Sequence, residues 1–317
     1  MPLDPKAREL IARSAAENLP ATHQVPPEEA RWLSRLRRAR MDNPPEAVAH
    51  IEDRRIPGPG GELAIRIYTP HGMGAFPALV YFHGGGWVVG DLDNQQSSCC
   101  ALANSTPCVV VSVDYRLAPE NKFPAAAEDC YAAALWVAEN ARSIQVDPER
   151  IAVGGDSAGG NLAAAVCLMA RDRGGPALVF QLLIYPVLDL NFDTPSYEEN
   201  GTGYLLTKEM CVYFWEQYLA SGSDGGHPYA APIRAKSLAG LPPALVLTAL
   251  YDPLRDEGQA YARRLKEAGV PVMARNYEGL IHGFWGMGAV LDQTQRIRQE
   301  VSEVLRSAFS GRVAAAP

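Results

Sequence analysis

Apolar residues recur along the chain with three different spacings, and each spacing predicts a type of element. In the segment from Asp4 to Arg40 the spacing of three or four positions is typical of amphipathic helices: Ala7, Leu10, Ile11 and Ala15, then Trp32, Leu33 and Leu36. From Leu63 to Tyr68 the large apolar residues stand two positions apart, as in a half-buried strand. Five later runs are almost continuously apolar, which is typical of strands covered on both faces: residues 78–82, 109–113, 151–153, 180–185 and 244–250.

Helix-forming segments separate most of these runs, at residues 124–141, 161–171 and 257–268. Strands that alternate with helices predict the α/β class, with a mostly parallel central sheet and helices on both faces. The two N-terminal helices, which Pro20 and Pro26 separate, cannot bury their apolar sides alone. We therefore expect them to lie over another part of the protein.

A long segment, residues 189–241, interrupts this alternation between two predicted strands. It is rich in Gly, Pro, Tyr and Asn, and contains one good helical run, from Thr207 to Leu219. Connections of this length in α/β proteins are usually functional. We predict that this insertion forms a cap together with the N-terminal helices in residues 1–50, and that residues 51–188 and 242–317 form the core. We expect Ala314 to Ala316 to be disordered.

Composition restricts the classes of function. The chain has 317 residues and a formal net charge of −7, and its Lys and Arg residues are scattered, which argues against nucleic-acid binding. We see neither a signal peptide nor a long apolar segment, so we expect a soluble cytoplasmic protein without membrane contact. The six cysteines lack the C-x-x-C spacing of zinc sites, and we expect them to be reduced and buried.

A serine stands between glycines where a strand-like run meets a helix-like run. Gly155 and Gly159 flank Ser157, after the apolar run 151–153 and before the Ala-rich run 162–169. A serine on such a tight turn adopts a strained backbone, and only glycines at the flanking positions let strand and helix pack that closely. The start of the helix also directs N–H groups at negative charge beside the serine. The pattern predicts a nucleophile, whereas a short Gly/Ser match alone would also fit a flexible loop.

A second glycine-rich segment follows the first of the continuous apolar runs. His83 precedes three consecutive glycines at the carboxyl end of a predicted strand, where α/β sheets place their sites. Backbone N–H groups in such a loop can approach an oxyanion closely. We predict that Gly84, Gly85 and Ala158 form the oxyanion hole; a flexible glycine turn is the alternative. We expect supporting roles for Asp156 and for His83, which would brace the loop through hydrogen bonds.

The candidate base is one of six histidines: His23, His50, His71, His83, His227 and His282. With a serine on this type of turn, the order along the chain is serine, acid, histidine. His282 is the histidine that lies beyond both Ser157 and the next acid at a strand end, just after the strand-like residues 272–277. His227 belongs to the insertion and is the weaker candidate.

The candidate acid is Asp252, the first acid after the apolar run 244–250. It would hold the imidazole in one tautomer and stabilise the imidazolium without taking the proton. Asp256 and Glu257 follow closely and fit as first-turn acids of the next helix. Chain order alone permits Asp252 or Asp256, and we prefer Asp252 because it leaves the strand directly.

Together these motifs resemble the bacterial hormone-sensitive-lipase-like esterases over residues 51–309. The matching segments are His83-Gly84-Gly85-Gly86, Asp114 to Glu120, Gly155-Asp156-Ser157-Ala158-Gly159-Gly160, Tyr185-Pro186, Asp252 to Asp256 and Ile281-His282-Gly283-Phe284. The resemblance implies an α/β-hydrolase fold with a helical cap, neither metal nor cofactor, and hydrolysis of carboxylic esters with short to medium acyl chains. Many similar proteins form dimers, so it also implies a homodimer.

The resemblance implies a reaction through an acyl-enzyme. His282 would deprotonate Ser157, and Ser157 would attack the carbonyl of a small-molecule ester. Two alternatives stay open. Receptors of the same fold bind small ligands without hydrolysis, but they have lost the triad histidine, which is present here. Amide hydrolysis is disfavoured because no peptide-selecting domain precedes the hydrolase.

Overall fold

The computed structural model of the protein describes residues 2–312, and the tail from Ala314 to Ala316, predicted to be disordered, lies outside them. At its centre is an eight-stranded sheet. The strands are β1 His50–Gly58, β2 Gly61–Thr69, β3 Phe76–Phe82, β4 Val109–Val113, β5 Val146–Asp156, β6 Phe180–Ile184, β7 Ala244–Tyr251 and β8 Val272–Ile281.

The strands follow the order β1-β2-β4-β3-β5-β6-β7-β8 across the sheet. The two pairings that involve β2 are antiparallel, and those from β4 to β8 are parallel. The predicted mostly parallel sheet is therefore confirmed. Because parallel strands end at the same edge, the loops after β3, β5, β7 and β8 come together there.

Helices cover both faces of the sheet, as predicted. They are α1 Pro5–Ala16, α2 Pro27–Arg38, α3 Gln96–Ser105, α4 Ala125–Glu139, α5 Ala158–Arg173, α6 Pro195–Asn200, α7 Lys208–Tyr218, α8 Arg255–Glu267 and α9 Asp292–Phe309. Short 3-10 helices lie at Thr22–Gln24, Asp93–Gln95, Ala141–Ile144, Gly222–Gly226, Pro232–Arg234 and Phe284–Gly286. Val80 and Val153 share a core with α4, α5 and α8, whereas Leu79 and Ala152 share one with α3 and α9. Adjacent residues of a strand thus point to opposite faces of the sheet, and each face has its own hydrophobic core.

Outside the insertion, two strands or α-helices were not predicted for a physical reason, and a third could have been predicted. β1 is an edge strand in which Ile56 alone is buried, so it carries no apolar stripe. α3 consists mostly of small residues, and most of them are buried. α9 was predictable, because Ile297, Val301 and Leu305 follow one another at helical spacing and are all buried.

The strand that leads to Ser157 is longer than predicted. Residues 154–156 pair in parallel with residues 182–184 of β6, so β5 continues through both glycines to Asp156. The turn is Ser157 alone, and α5 begins at Ala158 rather than at Asn161. The pairing with β6 extends the strand, because it supplies hydrogen-bond partners to a glycine backbone that the apolar pattern does not mark.

Both N-terminal helices are present, and their buried residues include Leu10 and Leu33. Trp32, which belongs to the predicted apolar set of α2, instead has 58% of its surface exposed. In the insertion, α7 matches the predicted helical run, and the short helix α6 was not predicted. No helix within residues 2–312 is long and apolar enough to cross a membrane.

The six cysteines are free thiols, and all of them are buried, as expected. Burial raises the pKa values of the Cys108 and Cys167 thiols far above the usual value for cysteine. Because the thiolate is the reactive form of cysteine, these side chains act as small apolar core residues.

Candidate active site

Ser157 lies at the carboxyl end of β5 with φ 57° and ψ −118°, a conformation that residues other than glycine rarely adopt. Its backbone N–H donates to the carbonyl oxygen of Ile184 at 2.8 Å, which holds the turn against β6. A methyl group on Gly155 or on Gly159 would overlap the carbonyl oxygen of Phe82. The two glycines are therefore required by the close approach of strand and helix, as the sequence predicts.

His282 and Asp252 extend from the ends of β8 and β7 towards this serine. The distance from Ser157 Oγ to His282 Nε2 is 3.0 Å, and that from His282 Nδ1 to Asp252 Oδ2 is 2.8 Å. Asp252 is fully buried, and its other carboxylate oxygen accepts from the N–H of Leu254 at 2.9 Å. Because a carboxylate accepts, Nδ1–H donates to Asp252 and Nε2 is left to accept from the serine hydroxyl.

The weaker candidates have other partners. His227 Nδ1 accepts from the N–H of Tyr229 at 3.1 Å. Asp256 accepts from the N–H of Ser196 at 2.8 Å and from Arg255 Nε at 2.8 Å, so it links α6 to α8. The side chains of His227 and Asp256 therefore form structural hydrogen bonds near the site.

Glu257 is buried beside this region. Its Oε2 accepts from the N–H of Asp189 at 2.9 Å. Its Oε1 has no hydrogen-bond partner among residues 2–312. Burial, and secondly the charge of Asp189, raise the pKa of Glu257 well above its usual value, which favours the neutral carboxyl group.

The glycine loop after β3 requires a correction to one predicted site residue. The N–H of Gly84 donates to Asp156 Oδ1 at 3.1 Å, and the same oxygen accepts from the hydroxyl of Tyr81 at 2.8 Å. An N–H that already donates to a carboxylate cannot serve an oxyanion, so Gly84 does not have the predicted role. The N–H groups of Gly85, Gly86 and Ala158 have no acceptor in the described chain.

His83 holds the start of the same loop. Its ring Nδ1–H donates to the carbonyl oxygen of Gly84 at 2.8 Å, and the ring stacks on Tyr115 with centroids 4.2 Å apart. The hydroxyl of Tyr115 donates to the carbonyl oxygen of His83 at 2.7 Å. Burial lowers the pKa of His83, which favours the neutral ring. Sequence reasoning missed Tyr81 and Tyr115, although Tyr115 belongs to the matching segment that begins at Asp114.

A cavity of about 650 Å³ opens over Ser157 and His282. Its apolar lining comes from α1, from α7 and the segment before it, and from the loops at the sheet edge: Leu10, Ile11, Tyr185, Leu205, Leu206, Phe214, Trp215 and Met287. Arginines of the N-terminal region also line it: Arg13, Arg37, Arg38 and Arg40. The N-terminal helices and the insertion thus face the site, while the boundaries of a cap domain stay a prediction. In residues 2–312, no group of three His, Cys, Asp or Glu side chains is arranged to hold a metal ion.

Comparison with known proteins finds an α/β-hydrolase family and similar esterases. A model of a family with the α/β-hydrolase fold matches residues 79–286. The chain is 48% identical to the carboxylic ester hydrolase LipN of Mycobacterium tuberculosis over 246 residues, which are 76% of this chain and 65% of LipN. It is 45% identical to the esterase LipI of the same organism over 263 residues, 80% of this chain and 82% of LipI. The solved structure of a hyperthermophilic esterase from the archaeon Pyrobaculum calidifontis superposes with a TM-score of 0.93 at 44% identity, covering 99% of this chain and 100% of that one.

Proposed function

Since the chain belongs to the hormone-sensitive-lipase-like family of α/β hydrolases and is a carboxylic ester hydrolase, we propose that it hydrolyses esters of short to medium acyl length through Ser157, His282 and Asp252. The observation that carries the proposal is the continuous hydrogen-bonded series from Asp252 through His282 to Ser157 at the floor of the cavity. Such a series supplies a nucleophile, a base and a group that orients the base.

The first half of the reaction forms an acyl-enzyme. His282 Nε2 takes the proton of Ser157 while Oγ bonds to the carbonyl carbon of the ester. The negative charge that develops on the carbonyl oxygen is stabilised by the unoccupied N–H groups of Gly85, Gly86 and Ala158, and Ala158 adds the positive end of the α5 dipole. The C–O bond then breaks, and the alcohol leaves with the proton from His282.

The second half repeats these steps with water. His282 takes a proton from a water molecule, whose oxygen bonds to the acyl carbon; the same N–H groups hold the second oxyanion. The bond to Ser157 Oγ breaks, Oγ regains its proton from His282, and the carboxylic acid leaves. Asp252 keeps its negative charge throughout and stabilises the transient imidazolium.

The size and lining of the cavity support the acyl-length part of the proposal. A volume of about 650 Å³ accommodates a small ester. Leu206 and Phe214 offer apolar surface to a hydrocarbon chain, and burying each methylene contributes about 0.8 kcal/mol.

Replacement of the nucleophile tests the proposal. Ser157→Ala is expected to lower kcat by roughly 10⁶-fold, as in other serine triads, with an unchanged circular-dichroism spectrum. A fluorophosphonate should add once to the wild type and to the control Ser143→Ala, an exposed serine on the 3-10 helix Ala141–Ile144. Intact mass spectrometry should find no adduct on Ser157→Ala; an undiminished adduct there would reject the assignment.

A further inference from the structure

Arg38, the last residue of α2, lines the cavity over Ser157. Its guanidinium packs against Gly286, where a methyl group would overlap it. Gly286 belongs to the 3-10 helix that follows His282, so the guanidinium lies beside the loop that carries the histidine. The mechanism described above makes no use of this charge.

The guanidinium has more donors than partners. Nη2 donates to Gln95 Oε1 at 3.2 Å. Nε is shielded from solvent and has no acceptor within residues 2–312. Three other arginines of the same region each pair with a carboxylate: Arg31 with Glu120 at 2.6 Å, Arg35 with Asp91 at 2.5 Å and Arg40 with Glu17 at 3.3 Å. Arg37 and Arg38 form no ion pair with any described residue, but Arg37 Nη2 donates to the carbonyl oxygen of Pro20 at 2.7 Å, and Nε is buried without a partner in Arg38 and not in Arg37.

The carboxylates near Arg38 already have other partners. Asp156 Oδ1 accepts from Gly84 and Tyr81, and both oxygens of Asp42 accept from Arg298 Nη2 at 3.0 Å. Burial acts to lower the pKa of Arg38, but Asp156 and other negative groups around it outweigh that effect and raise the pKa above its usual value. The side chain therefore keeps its charge at the cavity wall. A shielded N–H of a charged group is unfavourable unless an acceptor is supplied, and here that N–H is Nε.

We propose that Arg38 binds a carboxylate of the substrate, so that the preferred esters carry an anionic group in addition to the scissile ester. The guanidinium presents N–H donors in a fixed fork that matches the two oxygens of a carboxylate. The proposal rests on the proposed function, because the bound ester must also reach Ser157. It makes Arg38 a specificity-determining residue, separate from the groups that carry out the reaction.

Two matched substrate pairs test the proposal, one for each side of the ester. Monoethyl glutarate and ethyl hexanoate differ in a carboxylate on the acyl side. The butanoate ester of γ-hydroxybutyrate and pentyl butanoate differ in a carboxylate on the alcohol side. For each pair, the ratio of kcat/KM for the anionic ester to that for the neutral ester is measured in a pH-stat. Arg38→Met is expected to lower this ratio by roughly 10- to 100-fold for the pair whose carboxylate reaches Arg38, mainly through KM.

Arg35→Met is the control, since it removes one positive charge from the same helix at a position with a largely exposed side chain paired to Asp91. Its ratios should equal those of the wild type. If Arg38→Met fails to fold, Arg38→Lys and Gly286→Ala replace it. Arg38→Lys replaces the planar guanidinium by a single ammonium group, and Gly286→Ala displaces the guanidinium. Both variants should therefore lower the same ratio.

Unchanged ratios for both pairs in a folded Arg38 variant would overturn the proposal. If the wild type hydrolyses ethyl hexanoate and Ser157→Ala does not, the proposed function would still hold in that case. Conversely, ester hydrolysis that survives Ser157→Ala would reject the proposed function whatever the Arg38 variants do.

Discussion

The backbone N–H of Gly84 donates to Oδ1 of Asp156 at 3.1 Å, and so joins the glycine loop to the residue that immediately precedes Ser157. The same oxygen accepts from the hydroxyl of Tyr81, and Asp156 is buried. One carboxylate therefore connects β3, the loop after it and the end of β5. This contact ties the glycine loop to the turn that carries the serine.

We predict that Asp156→Ala impairs turnover without removing any group of the triad. The change leaves the Gly84 N–H and the Tyr81 hydroxyl buried without their acceptor. It should lower kcat by roughly 10²-fold, the order of effect of a misplaced oxyanion donor, and stability by about 1–3 kcal/mol. Asp156→Asn retains an acceptor oxygen and should lose less of both. The value of kcat is measured for each variant, and urea unfolding measures its stability. If Asp156→Ala is folded and has the kcat of the wild type, the glycine loop is held in another way.

A second pair of variants separates Asp252 from Asp256. Asp252→Asn favours the wrong imidazole tautomer and should lower kcat by up to roughly 10⁴-fold. Asp256→Asn weakens the contacts with Ser196 and Arg255, and should cost about 1–2 kcal/mol of stability with little change in kcat. Steady-state kinetics and melting temperatures are measured for both. The opposite pattern would transfer the role of the triad acid to Asp256.

Glu257 should make the stability of the protein depend on pH. Its raised pKa means that the folded state keeps a proton which the unfolded state releases above about pH 4.3. The free energy of unfolding therefore falls as pH rises from there towards the folded-state pKa, by up to about 1.4 kcal/mol per pH unit. Glu257→Gln stays neutral and can still accept from the N–H of Asp189, so it should become more stable than the wild type as pH increases.

The measurement is urea unfolding of both proteins between about pH 5 and 9. The difference in unfolding free energy should grow with pH in favour of Glu257→Gln. Parallel curves would mean that Glu257 releases its proton equally in the folded and unfolded states.

Phe214 should limit the length of the acyl chain. Its ring lies against Gly86, where a methyl group would overlap it, and it lines the cavity. Phe214→Ala gives room for about two further methylenes, each of which contributes about 0.8 kcal/mol when buried, so the kcat/KM ratio of octanoate to butanoate esters should rise roughly tenfold. Phe192→Ala is the control, because Phe192 lies in the same insertion and packs edge-on against Tyr197. An equal rise in both variants would indicate general loosening of the insertion.

Several features of the protein were determined by short stretches of sequence. Gly155 and Gly159 predict the turn at Ser157, because the steric demands of a strand-turn-helix junction act between residues that are neighbours in the chain. Continuous apolar runs predict β3 to β7 for a similar reason, since burial on both faces excludes polar residues locally. The edge strand β1 was not predicted in this way, because one of its faces is exposed and the other carries half-buried polar residues beside the single buried residue Ile56.

The tertiary structure alone decided which polar groups meet. Nothing near Gly84 in the sequence indicates that its N–H is occupied, because its acceptor Asp156 arrives from another strand. Likewise, four arginines follow one another closely from Arg35 to Arg40, and the sequence does not distinguish Arg38, which lines the cavity with a shielded Nε that has no acceptor among the described residues. Periodicity shows which side of an element is apolar, so the sequence predicted which elements form. A hydrogen-bond partner, in contrast, depends on the packing of elements that are distant in the chain. The fold therefore decided which polar groups remain without a partner and can bind a substrate.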